Sequence, residues 1–484
     1  MLRAAPEATL AAGNPGQRAW RQATKDRSGA AALSLLGGIV LVAAGICLAA
    51  SNEAAANVVA SLVFMALALT LAWRASAPPR IAGLGFLFVV NYTVLVYIGS
   101  VVLYLSDGSS NPALIAGSLL AFSAGFDVAG ARRRASLPDP RAVHARRLSN
   151  PTVLLMMILG SLVLSVLSFV AFREVGIPIL GGGVRDIIHG YDLLNSATPR
   201  YTLVVLYDLP IALTLMVLAQ AQFERSRGWL VLVAIMALLF SVTVAATSRR
   251  YPILYMAIAW LILLAPFRPR LTRARLAALL AAATVALTVY TWVGMARAIG
   301  QFDVATTGSY LTSFVDLLYN RVLYSQAHVV AVLLGLFPAA VPFFDGFTLA
   351  DQFLRVPWTN PSFDFPHWLY PFLFEHFDQL GYAVAFAPPT LFGELYANFG
   401  PWLALVSMAC WGGLCGLFER AVRPWAHQGQ LRLAAYAMLS MFLVVSGTEG
   451  LESTVHSLVY SVALILLFVG APVALSAATR HSHG

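Results

Sequence analysis

Residues 388–400 read Pro-Pro-Thr-Leu-Phe-Gly-Glu-Leu-Tyr-Ala-Asn-Phe-Gly and divide the chain at its most informative point. A long polar segment ends here and a long apolar one begins, as expected where a chain enters a lipid bilayer. Glu394, Tyr396 and Asn398 lie here among Gly, Phe and Leu. Because a carboxylate at the edge of a bilayer is costly, it usually has a partner or a function. Glu394 is therefore the first candidate for a functional side chain.

The composition of the whole chain is that of a membrane protein. Of 484 residues, 59% are hydrophobic and 11% are charged, and the mean hydropathy is +0.76. A soluble protein of this size carries about 25% charged residues. The three cysteines, Cys47, Cys410 and Cys415, all fall inside apolar runs, so we expect no disulfide framework.

Apolar runs of about 20 residues predict membrane-spanning helices, and the chain contains about twelve of them. They cover residues 30–50, 55–73, 81–105, 112–130, 151–172, 201–222, 228–246, 251–266, 275–295, 400–418, 431–447 and 454–475. The run 322–344 is also apolar, but Pro338 and Pro342 interrupt it, so it is expected to re-enter the membrane or to lie at its surface. The predicted fold class is an all-α polytopic membrane protein.

The charges predict how these spans are oriented. The net charge is +9, and most Lys and Arg residues fall in alternate connecting segments while most acids fall in the others. By the positive-inside rule both termini are cytoplasmic, and the basic run 132–147 is interpreted as a topology anchor rather than a nucleic-acid site. The predicted parts are a tail at 1–29, spans one to nine at 30–295, a periplasmic loop with short helices at 296–399, spans ten to twelve at 400–475, and a tail at 476–484.

Arginines on the predicted periplasmic face suggest an anion site. Arg249 and Arg250 lie in a short turn there, against the general charge bias. A guanidinium binds phosphate oxygens through two hydrogen bonds and keeps its charge. Arg297, Arg321 and Arg355 lie on the same side and could complete the site. The alternatives are interfacial side chains that reach toward water, for the pair, and surface ion pairs, for the other three.

Acids and histidines on the same face are candidates for a general base. They are Glu375, Asp378, Glu394, His367 and His376. Histidine titrates near neutral pH, and a carboxylate can be tuned by burial or by a nearby Arg. Solvated, ion-paired or hydrogen-bonding roles are the alternatives. The aromatic residues of the late loop could stack on sugars or form an interfacial belt. No Cys/His metal pattern and no phosphate-binding Gly-rich loop is seen, so neither a metal nor a cofactor is expected.

Two places in the chain resemble the bacterial oligosaccharide repeat-unit polymerases, the Wzy-like enzymes. The first comprises Pro389-Thr390, Gly393-Glu394, Tyr396 and Asn398-Phe399-Gly400, which are similar to the late motif of that family. The second is Thr247-Ser248-Arg249, which looks like the family's Gly-Ser-Arg turn with Thr in place of Gly.

The resemblance implies a glycosyltransferase of the GT-C type in the bacterial inner membrane. It would transfer a glycan from undecaprenyl diphosphate to the next lipid-linked repeat unit at the periplasmic face, with inversion. Glu394 would be the general base or would orient the acceptor, Arg249 with Arg250 would hold the diphosphate, and Tyr396 and Asn398 would help to bind substrate. A chain-length regulator and a flippase of the same pathway are the implied protein partners.

Two other functions remain open from the sequence. One is a different lipid-linked transfer, such as glycan ligation to a lipid A core or addition of one sugar from a polyprenyl phosphate. The other is a transporter, which predicts charged residues in the middle of spans and paired half-helices.

Overall fold

The computed structural model describes residues 53–76, 82–130, 150–175, 200–224, 226–246, 251–267, 324–355, 363–373, 388–426 and 429–465, and these are predominantly helical. The helices are α1 Glu53–Ala75, α2 Leu84–Tyr92, α3 Ile98–Asp107, α4 Pro112–Gly130, α5 Asn150–Val175, α6 Arg200–Glu224, α7 Arg227–Ala246, α8 Tyr251–Leu264, α9 Ser325–Leu336, α10 Phe347–Arg355, α11 Phe365–Leu373, α12 Leu391–Ala426 and α13 Gln430–Ile465. A π-helical turn, Thr93–Tyr97, joins α2 to α3.

Six helices within these described ranges are long and apolar enough to cross a membrane. They cover Ala54–Ala75, Leu84–Asp107, Pro112–Gly130, Pro151–Phe169, Leu391–Pro424 and Gln430–Leu451. The prediction of a helical polytopic membrane protein is thereby confirmed. The predicted spans 30–50 and 275–295 lie outside the described residues. Helices are present at the predicted spans 201–222, 228–246 and 251–266, but they are not among the six, so the number twelve remains a prediction.

Helices α1, α4 and α12 run parallel to one another. Asn57 Nδ2 donates to Asn111 Oδ1 over 3.4 Å near the start of α1 and α4, and Arg74 Nη2 donates to Asp127 Oδ2 over 2.6 Å at their ends. Successive spans are predicted to cross the membrane in alternate directions, so spans two, four and ten should run in the same direction.

The approach of α4 to α12 is closer than most helix pairs allow. A methyl group at Gly125 would lie 1.9 Å from the Ala409 carbonyl oxygen, and one at Gly412 would lie 2.0 Å from the Phe122 carbonyl oxygen. Small residues permit this approach, and in a membrane van der Waals contact of this kind drives helix association. The pair therefore depends on having no side chain at either glycine.

The bundle has two ends that differ in chemistry. We call one the Arg423 end, where Arg423 Nη1 donates to the Glu419 carboxylate over 2.7 Å and Leu84 N donates to the same carboxylate over 3.2 Å. The opposite end, named the Glu394 end, contains Asn57, Asn111 and the 388–400 segment. Since α13 runs back along α12, its residue Leu451 also lies at the Glu394 end.

Polar contacts also tie α6 to α13. Gln430 donates a short hydrogen bond to Gln220, and Ser461 Oγ donates to Asp208 Oδ2 over 3.1 Å. Asp208 is 4% exposed and lies within a helix that the sequence predicted to span the membrane. An ionisable side chain at such a position is a functional candidate in addition to the charges of the predicted periplasmic face.

Candidate functional site

The 388–400 segment begins its helix at Thr390. The Gly393 backbone N–H donates to Thr390 Oγ1 over 3.1 Å, and the Glu394 N–H donates to the Thr390 carbonyl over 3.0 Å. The hydroxyl therefore caps the helix by satisfying one of its first N–H groups. Thr390 is fully buried and has φ of +60°, a conformation that costs a β-branched residue of the order of 1–3 kcal/mol. The surrounding contacts hold it there.

Glu394, one helical turn further on, is fully buried. Its Oε2 accepts a 2.6 Å hydrogen bond from the backbone N–H of Leu451 in α13. The first N–H groups of a helix have no partner inside it, and the positive end of its dipole favours an anion. Leu451 is the first residue after a break in α13, so the carboxylate occupies the start of a helix that comes from elsewhere in the chain.

Both α12 and α13 are broken at a glycine, and the break in α13 lies beside this carboxylate. Gly400 has φ of +72° and ψ of −178°, and Gly450 has φ of +83° and ψ of 177°, a region that only glycine enters readily. A methyl group at Gly450 would lie 2.9 Å from Glu394 Oε2. Gly450 thus satisfies two requirements, the backbone conformation and the room for the carboxylate.

Asn398 links the same helix turn to α10. Its Nδ2 donates to Thr348 Oγ1 over 2.6 Å and to the Glu394 carbonyl over 2.8 Å, and the whole residue is buried. Among the described residues its Oδ1 has no hydrogen-bond partner. The amide nitrogen of Asn398 is therefore held by two hydrogen bonds, while its amide oxygen is a buried acceptor.

The turn before α10 closes over the same helix. Tyr396 donates its hydroxyl to the Phe337 carbonyl over 3.1 Å, and Phe344 N donates to the Ala397 carbonyl over 3.0 Å. A methyl group at Gly400 would lie 3.2 Å from the Phe343 ring. These contacts make residues 388–400 and the 337–346 turn one packed unit, which we call the motif unit.

The aromatic side chains of this region pack largely on one another. Phe344 lies 5.4 Å from Phe363, 5.6 Å from Phe365 and 5.5 Å from Trp368 between ring centroids. Phe365 is fully buried. From the sequence, these rings could stack on sugars or form an interfacial belt. In this cluster they form a small aromatic core beside the motif unit.

The structure places Glu394, Tyr396 and Asn398 together in the motif unit. His367 lies in α11 and Arg355 at the end of α10, but their side chains are outside the described residues. Also outside the described residues are Arg249, Arg250, Arg297, Arg321, Glu375, His376 and Asp378, so the predicted anion site and base remain predictions. Among the described residues, no group of three or more His, Cys, Asp and Glu side chains could hold a metal.

Sequence reasoning missed the partners of the motif. Leu451 contributes a backbone N–H, and such a group cannot be recognised from the residue type. Thr348 lies 50 residues before Asn398, and no sequence pattern links the two. Gly450 did carry a signal, because Glu449-Gly450-Leu451-Glu452 interrupts two apolar runs. Asp208 carried one as well, as an acid inside an apolar run.

Comparison with known proteins adds no family to these observations. A scan against models of protein families, a search of curated proteins and a search of solved structures found no match.

Proposed function

We propose that the chain is a membrane-embedded glycosyltransferase that joins oligosaccharide repeat units carried on undecaprenyl diphosphate. The observation that supports this most is that the motif residues form one buried unit. Thr390 caps its helix, Glu394 binds the Leu451 N–H, and Asn398 binds Thr348. All three side chains are fully buried, and each is held by a hydrogen bond of its own, as expected of residues selected for a shared site.

The position of the unit suits such a substrate. It lies at the Glu394 end, which is periplasmic in the orientation that the charge distribution predicts. Nucleotide sugars are absent from that compartment, while lipid-linked diphosphate sugars are present in the adjoining bilayer. A donor anchored in lipid would reach the site laterally, through the membrane.

The proposed reaction is one displacement at the anomeric carbon of the donor. An acceptor hydroxyl oxygen bonds to this carbon as the bond from carbon to the diphosphate oxygen breaks, and undecaprenyl diphosphate leaves with the electron pair. The hydroxyl proton passes to a general base. Arg249, with Arg250 and with Arg297, Arg321 or Arg355, neutralises the charge that develops on the leaving diphosphate.

Burial favours a positioning part for Glu394. Its carboxylate has no exposed surface and binds Leu451 N, which supports a structural contact more than a contact with the acceptor. It holds the motif helix against α13 and so shapes the wall of the site. The base is then to be sought among Glu375, Asp378, His367 and His376, on the same predicted face.

A transporter is the second candidate, and the buried Asp208 is the observation that favours it. The helix breaks weigh against it. At about 1.5 Å per residue, the helix of residues 401–426 is about 39 Å long and that of 430–449 about 30 Å, so each crosses a hydrocarbon core of about 30 Å unaided. Gly400 and Gly450 therefore lie at the ends of complete spans, whereas a transporter's half-helices meet near the membrane midplane.

Product analysis tests the proposal. The purified chain in proteoliposomes is given undecaprenyl-diphosphate-linked repeat units, and the products are separated by length. A ladder of multiple repeats is expected. Transfer of glycan to a lipid A core without a ladder would show a ligase, and movement of the substrate across the bilayer without a new covalent product would show a transporter. Either result would overturn the polymerase proposal.

A further inference from the structure

Helix α10 exposes apolar side chains and buries polar ones, the reverse of a helix on the surface of a soluble protein. Phe347 is 52% exposed and Leu354 is 79% exposed, and with Ala350 they share one face of the helix. Thr348 and Asp351 are 1% and 7% exposed and turn toward the protein. In water this arrangement would leave the apolar face exposed to solvent, which is unfavourable.

The buried polar residues are engaged by the protein. Thr348 Oγ1 accepts from Asn398 Nδ2 over 2.6 Å, and Asp351 Oδ2 accepts from the Phe363 backbone N–H over 3.3 Å. The helix therefore cannot roll over to bury Phe347 and Leu354 without breaking these bonds. Its outward apolar face is fixed by the fold.

The turn that leads into α10 is exposed and almost free of charge. Its exposed side chains between residues 338 and 346 are Pro338, Ala339, Ala340, Pro342 and Asp345. Asp345 is thus the single charge in this stretch, next to the start of α10. An apolar turn and helix with one acid at their junction fit a position near the boundary between hydrocarbon and headgroups.

The turn before α10 packs on the start of a candidate membrane span. Gly346 lies against Phe399, since a methyl group there would come within 3.1 Å of that ring, and Phe399 belongs to the candidate span Leu391–Pro424. Trp402 and Leu403 of the same span, just beyond the Gly400 break, are 79% and 57% exposed. Exposed apolar side chains are therefore found both on α10 and on the span that its leading turn contacts.

We propose that α10 is an interfacial helix whose Phe347 and Leu354 face is immersed in bilayer hydrocarbon, while its Thr348 face holds Asn398 of the motif unit. The partner of this surface is lipid, and the proposal holds whatever reaction the chain catalyses. One consequence is that one short helix stands between the bilayer and the motif. The depth of this helix in the membrane and the position of Asn398 are therefore linked.

Spin-label accessibility tests the proposal on the full chain in phosphatidylcholine vesicles. In a background with Cys47, Cys410 and Cys415 replaced by Ala, a nitroxide is attached at Leu354→Cys or Phe347→Cys. Collision with oxygen, which concentrates in hydrocarbon, is compared with collision with a water-soluble nickel chelate. Ser109→Cys, in the exposed turn between α3 and α4, is the aqueous control.

The expected result is an oxygen-to-nickel collision ratio at both α10 positions several-fold above that at Ser109. A ratio at 354 and 347 equal to that at Ser109 would place the face in water and overturn the proposal. Low collision with both reagents would also overturn it, because a second protein surface would then cover the helix. The two α10 positions are independent, so the loss of one variant to misfolding leaves the other to decide.

Discussion

The carboxylate of Glu394 and the backbone N–H of Leu451, 57 residues apart in the chain, are joined by a hydrogen bond of 2.6 Å. A bond to a charged acceptor is roughly twice as strong as one between neutral groups. Here it is buried and lies at the first residue after a helix break. It ties the motif helix to α13, so disturbing either residue should affect both elements.

Gly450→Ala should destabilise the protein clearly. The new methyl group would meet Glu394 Oε2 at 2.9 Å, and Ala would have to adopt φ of +83°. Strain of about 1–3 kcal/mol is expected from the backbone alone. The measurement is the thermal unfolding midpoint of the purified protein in nanodiscs.

Gly108→Ala is the comparison for this prediction. Gly108 has φ of +71° and ψ of 6°, a left-handed conformation that L residues enter more easily than that of Gly450, and a methyl group there would have nothing within 4 Å. The midpoint should therefore fall further for Gly450→Ala than for Gly108→Ala, from backbone strain and crowding together. Equal losses would contradict the prediction.

Thr348→Val should cost stability because it removes the acceptor of the Asn398 amide without changing the size of the side chain much. A buried donor left without a partner costs about 1–3 kcal/mol. Thr70→Val serves for comparison, since the Thr70 hydroxyl donates to the Ala66 carbonyl of its own helix over 2.7 Å. Chemical denaturation of both variants should show the larger loss at Thr348, and a larger loss at Thr70 would count against the motif unit.

Arg423→Ala should be much more damaging than Arg74→Ala. The side chains of Arg423 and Glu419 are 6% and 7% exposed, so removing the guanidinium would strip a buried carboxylate of a charged partner, at about 3–5 kcal/mol. Arg74, bound to Asp127, has 54% of its side chain exposed, and such pairs contribute about 0–1 kcal/mol. Expression level and unfolding midpoint check the order, and equal effects would contradict it.

Composition and spacing predicted the helical class and the bounds of several helices well. The predicted spans 112–130 and 431–447 correspond to α4 and to the first part of α13, because length and apolar content alone define a membrane span. The need of Glu394 for a partner was also anticipated, since a carboxylate at the edge of a bilayer needs compensation, whereas its role in the reaction remains a prediction.

The partner of that carboxylate could not be predicted in the same way. An arginine was one alternative partner from the sequence. The structure describes the Leu451 N–H as a partner, and a backbone group is available at every residue. The positive φ of Thr390 was equally hidden, because a β-branched residue is the last that local preference would place there. Both features depend on tertiary packing, which the local spacing of residues does not reveal.

Arg249→Lys should lower turnover of a lipid-linked diphosphate donor substantially while insertion into the membrane stays normal. Lysine keeps the charge but loses the two-pronged hydrogen bonding that suits phosphate oxygens. The assay is polymer formation in proteoliposomes at equal protein content. Full activity of Arg249→Ala would remove this residue from the site.

The most direct test of the account is the unfolding midpoint and the polymer yield of one purified variant, Glu394→Gln. Glutamine keeps the shape but offers Leu451 N a neutral acceptor, so we expect a lower midpoint. Polymer formation well below that midpoint should stay within about tenfold of the parent rate, since the loss of a general base would cost about two to four orders of magnitude. An unchanged midpoint together with a turnover reduced by such orders would contradict the account and make Glu394 the catalytic base.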